Sequence, residues 1–195
     1  MKEKEEFVGF DSHEYRPIVR NKSMQLLKDF VIAQKPAQIL EIGTFIGYSA
    51  GIMLDAFDGC HVTTLEKYED NARDAVKNLT ELGFLGRFEG VCCDAYDYLQ
   101  TTQNRQFDFI FLDGPKGQYI KYLPLIKNML KKGGILICDD ILFYGLVRSN
   151  QHIEHKHRTI VNNLRKFIAA LTEDEDFETQ IHEFDNGISV SRKKV

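Results

Sequence analysis

The sequence predicts an α/β fold: a seven-stranded, mostly parallel sheet with helices on both faces, closed by a C-terminal antiparallel hairpin. Three observations carry this. From residue 38 onward, short apolar runs rich in β-branched residues alternate with amphipathic helical patterns, the rhythm of parallel strands joined by right-handed crossovers. Runs such as Phe109-Ile110-Phe111-Leu112 are apolar without interruption, which suits strands buried on both faces. Near the C-terminus, two strand-like runs are joined by Asp185-Asn186-Gly187, a tight-turn signal.

In chain order, a helix is predicted over Ser23–Ala33, where Met24, Leu27, Phe30 and Val31 recur at helical spacing. With the residues before it, it makes an N-terminal helical extension (1–35) packed on a domain spanning 36–195. Strands are predicted at Gln38–Gly43, His61–Glu66, Phe88–Cys93, Phe107–Leu112 and Gly134–Cys138. Helices between them span Tyr48–Phe57, Glu69–Leu82, Ala95–Thr102 and Tyr119–Leu130. A last helix around Arg158–Leu171 precedes the hairpin strands Phe177–Phe184 and Gly187–Arg192. A parallel sheet closed in this way is the Rossmann-like layout of seven-stranded class I methyltransferases, whereas dehydrogenase Rossmann domains usually lack the hairpin.

The 195 residues suit one such domain with its own core. No apolar run reaches the length of a membrane span, and the charged start Met1-Lys2-Glu3-Lys4-Glu5-Glu6 has no apolar segment behind it. A cytoplasmic location without membrane partners is the expectation. Cys60, Cys92, Cys93 and Cys138 form no CxxC pair and are expected as buried, reduced thiols. A net charge of −4 gives no global argument for nucleic acid. Locally, His152–Lys166 is strongly basic, which means a solvated helix face unless it borders a catalytic mouth.

The sharpest motif is Glu41-Ile42-Gly43-Thr44-Phe45-Ile46-Gly47-Tyr48-Ser49, leaving the first strand and opening the next helix. Its glycines permit a tight turn and close backbone approach, and the helix start offers unpaired N–H groups. A pyrophosphate-binding dinucleotide site would call for GxGxxG. Here the glycines are spaced Gly43-x-x-x-Gly47 with an acid ahead of them, and that carboxylate suits the sulfonium and ammonium of S-adenosylmethionine (SAM). Glu66 closes the second strand, where an acid accepts hydrogen bonds from ribose hydroxyls. Asp94, followed by Ala95, ends the third; it faces an adenine edge, caps the next helix, or does both. The candidate cofactor residues are therefore Glu41, Gly43, Gly47, Tyr48, Ser49, Glu66, Lys67, Asp94, Ala95 and Asp113.

The fourth strand ends in Asp113-Gly114-Pro115-Lys116 and the fifth in Asp139-Asp140. Three carboxylates at adjacent strand ends call for a cation. An all-oxygen set favours Mg²⁺, or else Mn²⁺ or Ca²⁺, over zinc. Such a metal activates a substrate hydroxyl, and Lys116 takes the proton if desolvation depresses its pKa. Helix caps and a surface lysine are the bland alternatives.

Glu41–Ala50, Leu65-Glu66-Lys67, Asp113-x-x-Lys116 and Asp139-Asp140 together resemble the catechol/caffeoyl-CoA type of metal-dependent O-methyltransferases, from about Pro17 to the C-terminus. Within that group, Asp113–Tyr119, Asp139–Val147 and the basic stretch Lys156–Arg165 are most similar to bacterial tRNA 5-hydroxyuridine methyltransferases. The resemblance implies Asp113, Asp139 and Asp140 as metal ligands and Lys116 as base. It implies Glu41, Gly43, Ser49, Glu66 and Asp94 as SAM contacts, and a homodimer. The family commonly has asparagine where this chain has Asp140. A tRNA substrate would use Arg20, Lys22, Arg148, Lys156, Arg158 and Arg165 for its phosphates, and Phe143 or Tyr144 to stack a splayed base unless they pack in a core or lid. The competing readings are a small catechol-like substrate, an NAD-dependent oxidoreductase, and a non-catalytic RNA-binding module.

Overall fold

The computed structural model describes residues 21–150 and 152–195. Arg20 and the rest of the predicted extension before Asn21 lie outside the described residues. Five strands, β1 (Gln38–Ile42), β2 (His61–Glu66), β3 (Phe88–Cys92), β4 (Phe107–Leu112) and β5 (Leu130–Cys138), pair in parallel. Two more, β6 (Phe177–His182) and β7 (Ile188–Lys193), form the antiparallel hairpin, and β7 pairs antiparallel with β5. The sheet order is β3-β2-β1-β4-β5-β7-β6. The order reverses at β1, which lies between β2 and β4, and ligands of open α/β sheets bind at the carboxyl edge of such a switch point.

Strand periodicity divides the core into two layers. Leu40, Ile42, Ile110, Leu112, Leu136 and Cys138 face one side, packed with α4 (Ala95–Thr101), α5 (Tyr119–Met129) and α6 (His155–Glu173). Ile39, Phe109, Phe111, Ile135 and Ile137 face the other, against α1 (Asn21–Gln34) and α2 (Tyr48–Ala56). The helix α3 (Glu69–Glu81) adds Leu79 to that second layer. The apolar stripe Met24, Leu27 and Val31 of α1 is buried there, as its spacing predicts.

Two elements and one cysteine differ from expectation. β5 starts at Leu130 rather than Gly134, because α5 runs directly into the sheet. The ladder absorbs an irregularity between Phe107↔Leu130 and Phe109↔Ile135, with Gly133 at φ +78°. The last helix begins at His155, so most of the basic run is helical. Cys92 is exposed, contrary to the expectation of buried thiols, because β3 is an edge strand with one open side; Cys60 and Cys138 are buried and all four are free. Among the described residues no helix is long and apolar enough to cross a membrane.

Candidate active site

The parallel ladders continue past the strand ends, and this places the site. Gly43 N–H donates to Leu65 O at 3.0 Å, Cys93 to Glu66 O at 2.8 Å, Asp113 to Ile42 O at 2.9 Å and Asp139 to Leu112 O at 3.0 Å. The first residues beyond four strands are thereby held in register along one edge. They border a cleft of about 850 Å³ lined by Gly43, Glu66, Lys67, Asp94, Ala95, Asp113, Lys116, Asp139 and Asp140 among others.

Gly43 sits at φ +103°, and a Cβ there would lie 2.5 Å from the Asp113 carbonyl oxygen. Only glycine lets the turn pass this close to the end of β4. Glu66 accepts from the backbone N–H groups of Phe45 and Tyr68, both at 2.9 Å, which fixes its carboxylate at the cleft wall. Asp94 caps α4 by accepting from Tyr96 N–H at 2.9 Å and pairs with Lys67 at 2.9 Å. The Lys67 hydrogen bond, followed by the cap, holds the Asp94 carboxyl below its usual range. Capping and lining therefore coexist at Asp94.

Glu41 differs from expectation. It is fully buried, and its two carboxylate oxygens accept the hydroxyls of Ser49 and Thr64, the latter also bonded to Thr44. Burial pushes its pKa up to about 8 against the opposing Ser49 and Thr64 hydrogen bonds. The reason is strand parity: Glu41 shares the face of Ile39, toward α2, rather than the open edge. Gly47 backs onto Ala75 and Leu79 of α3, and Tyr48 packs against the α1/α2 layer. Glu41, Gly47, Tyr48 and Ser49 thus brace the glycine turn from beneath and do not line the cleft.

At the cleft floor, Lys116 Nζ donates to Asp113 Oδ1, lies 3.9 Å from Asp140 Oδ2, and donates to the Tyr119 hydroxyl at 3.0 Å. Tyr119 is fully buried, its hydroxyl 3.0 Å from Leu112 O and 3.2 Å from Asp139 O, so it ties lysine to both strand ends. Sequence reasoning passed over Tyr119; its signal was the position three residues after Lys116, at a helix start. Burial alone would depress Lys116, but the Asp113 carboxylate, then Tyr119 and Asp140, raise its pKa well above the ordinary value. This reverses the expectation of a desolvated, depressed lysine.

Burial, then the charge of Asp113, pushes the Asp139 carboxyl up to about 7, and burial also raises Asp113. Asp139 Oδ1 is buried with no hydrogen-bond partner among the described residues, a costly orphan. An unpartnered carboxylate oxygen beside two further carboxylates is the donor chemistry of a hard divalent cation. The side chains are not drawn around one point, however. Among the described residues no group of three or more His, Cys, Asp or Glu is gathered to hold a metal as it stands. The Lys116 ammonium is instead the charge partner of Asp113. Asp140 takes φ +57°, a left-handed conformation that Asp and Asn tolerate best after glycine.

Tyr144 lines the cleft and is 60% exposed, whereas Phe143 packs against the core and His157. None of the described basic candidates lines the cleft. Arg165 donates to Val147 O at 2.9 Å and Ser149 O at 2.7 Å, stapling the loop after β5. Arg158 donates to Ile153 O, Lys156 pairs with Glu154 at 2.9 Å, and Arg148 pairs with Glu183 at 3.2 Å. Lys22 is exposed and precedes Ser23, which does line the cleft.

Residues 9–194 match the O-methyltransferase family. The catechol O-methyltransferase of Mycobacterium tuberculosis is 30% identical over 109 residues, covering 55% of this chain and 50% of that relative. The match thus spans about half the relative's length. A solved structure from Staphylococcus aureus, provisionally assigned as a caffeoyl-CoA O-methyltransferase, superposes with TM-score 0.84 at 28% identity over 91% of this chain and 85% of that one. The Bacillus cereus O-methyltransferase in complex with SAH gives TM-score 0.81 at 26% identity, over 94% and 84% respectively.

Proposed function

The chain belongs to the O-methyltransferase family, and from that premise we propose a SAM-dependent, divalent-metal-dependent O-methyltransferase that converts wobble 5-hydroxyuridine of tRNA to 5-methoxyuridine. The observation that carries the chemistry is the buried Asp139 oxygen, without a partner among the described residues, set with Asp113, Asp140 and Lys116 at the cleft floor. On the cofactor side, Glu66 and Asp94 would accept hydrogen bonds from ribose and adenine, and the Gly43 turn would position the sulfonium end. SAM bound there would supply the methyl group; Asp113, Asp139 and Asp140 would hold a divalent cation, whose charge would supply Lewis acidity at the acceptor hydroxyl and lower the proton affinity of the nearby Lys116 amine. Lys116 Nζ, steered by the Tyr119 hydroxyl, would take up the acceptor proton as the neutral amine, once cation binding has released its own proton to solvent. Alignment of the two reactants carries most of the acceleration.

An exposed Tyr144 at the mouth offers a face on which a splayed base can stack. Lys121 in the cleft lining and Lys22 beside it supply positive charge for phosphates. A second reading, a small catechol-like acceptor, is favoured by the engagement of Arg148, Lys156, Arg158 and Arg165 with their own chain. A second copy of the chain as partner belongs to the same proposal and is checked by mass in solution.

The experiment is methyl transfer from labelled SAM to an anticodon stem-loop carrying 5-hydroxyuridine, run beside catechol. Labelling of the stem-loop, lost when uridine replaces 5-hydroxyuridine, is the expected result. Labelling of catechol alone selects the second reading, and labelling of neither contradicts both.

A further inference from the structure

The turn that closes the β6–β7 hairpin forms part of the cleft wall, through Asp185 and Asn186. Because β7 runs antiparallel to β5, with Cys138 opposite Ser189, the turn preceding it lies at the same edge as the ends of β1–β5. It sits beyond β5, away from the β1–β3 ends that carry Gly43, Glu66 and Asp94. It is therefore on the acceptor side.

Asn186 is only 9% exposed although it lines the cleft, and its side-chain amide makes no hydrogen bond among the described residues. Its backbone is clamped: Asn186 O accepts from Leu142 N–H at 2.8 Å and Gly187 O from Ile141 N–H at 2.9 Å. Gly187 sits at φ +83°, and a Cβ there would fall 2.2 Å from Leu142 Cγ. The turn is thus locked onto the segment that follows Asp139 and Asp140. The amide lines the cleft with its donor and acceptor both uncommitted to the chain, which suits a ligand group that offers an acceptor and a donor side by side.

We infer that Asn186 reads the acceptor ring, its amide pairing with the adjoining N3–H and C=O of a pyrimidine. This rests on the hydroxyuridine reading above and names the residue that selects it. A catechol presents hydroxyls alone and has no such edge.

The test compares the wild type with Asn186→Ala on three acceptors: a stem-loop with 5-hydroxyuridine, the same stem-loop with its N3 methylated, and catechol. Asn186→Ala is expected to lower kcat/KM for the first by roughly 10- to 100-fold, the range of a bidentate base contact. Catechol turnover, SAM affinity and melting temperature should stay within twofold or a few degrees. N3 methylation should penalise the wild type and leave Asn186→Ala almost unaffected. An equal N3-methyl penalty in both proteins, or an equal loss on RNA and catechol, overturns the inference. If the alanine variant does not fold, Asn186→Asp keeps the size but removes the donors, and the same loss is expected. Wild-type labelling of catechol but not RNA overturns the pyrimidine contact while leaving O-methyl transfer intact. Labelling of neither overturns the proposed function, and the inference with it.

Discussion

The Lys116 ammonium donates a hydrogen bond to Asp113 Oδ1, so the carboxylate at the end of β4 is neutralised by the turn that follows it. Tyr119 fixes the same lysine from below. As it stands, the pair is an ion pair with its proton firmly on nitrogen, and acceptor chemistry needs that proton displaced.

Replacing Lys116 by Met should therefore cost turnover far more than binding. A loss of roughly 10²- to 10⁴-fold in kcat is expected, the usual range for a general base, with SAM affinity retained by calorimetry. A variant whose kcat is unchanged would assign Lys116 to charge balance alone.

Gly43→Ala should fail for a steric reason. The φ of +103° and the 2.5 Å approach to the Asp113 carbonyl leave no room for a methyl group, a strain on the order of 1–3 kcal/mol. Melting temperature should fall, and SAM affinity should drop at least about tenfold, which is about 1.4 kcal/mol.

Glu41 gives a pH signature. It holds its proton to about pH 8 in the folded chain, against an ordinary value of 4.5. The folded state therefore binds more protons across that window, and this contribution to stability, complete below pH 4.5, is lost as pH rises toward 8. Glu41→Gln cannot ionise, so its melting temperature should fall less between pH 5 and pH 8 than that of the wild type. The difference is at most about 1.4 kcal/mol per pH unit. Parallel melting curves would place Glu41 outside this role.

The basic residues should separate into two kinds. Arg165→Ala removes the staple on Val147 and Ser149, and should cost about 1 kcal/mol of stability while lowering RNA and catechol turnover together. Lys22→Ala should leave melting unchanged, weaken RNA binding, and reduce the salt dependence by about one phosphate contact. An identical pattern for both variants would contradict the division.

Much of this was legible in the sequence, and the reasons are physical. Parallel strands carry their hydrophobic run to the sheet edge, so the residues just after the runs, Gly43, Asp94, Asp113 and Asp139, were bound to meet there. Glu41 misled because it lies inside β1: its face depends on strand parity and on α2 covering that side. Lys116 misled because desolvation is local to the residue, whereas the carboxylates that overcome it come from two other chain positions. Arg165 looked like a phosphate ligand because its carbonyl partners lie in a loop folded back over α6. Asn186 read only as a turn residue, since its place in the cleft follows from the antiparallel return of β7.

Cation-assisted methyl transfer at the Asp113–Asp139–Asp140 floor is tested most directly by the initial rate of transfer from SAM to the hydroxyuridine stem-loop as free Mg²⁺ is titrated. Saturable activation, abolition by EDTA, full recovery when excess Mg²⁺ is added back, and no recovery in Asp139→Asn are expected. A rate that is unchanged by EDTA and flat across the Mg²⁺ titration would contradict it.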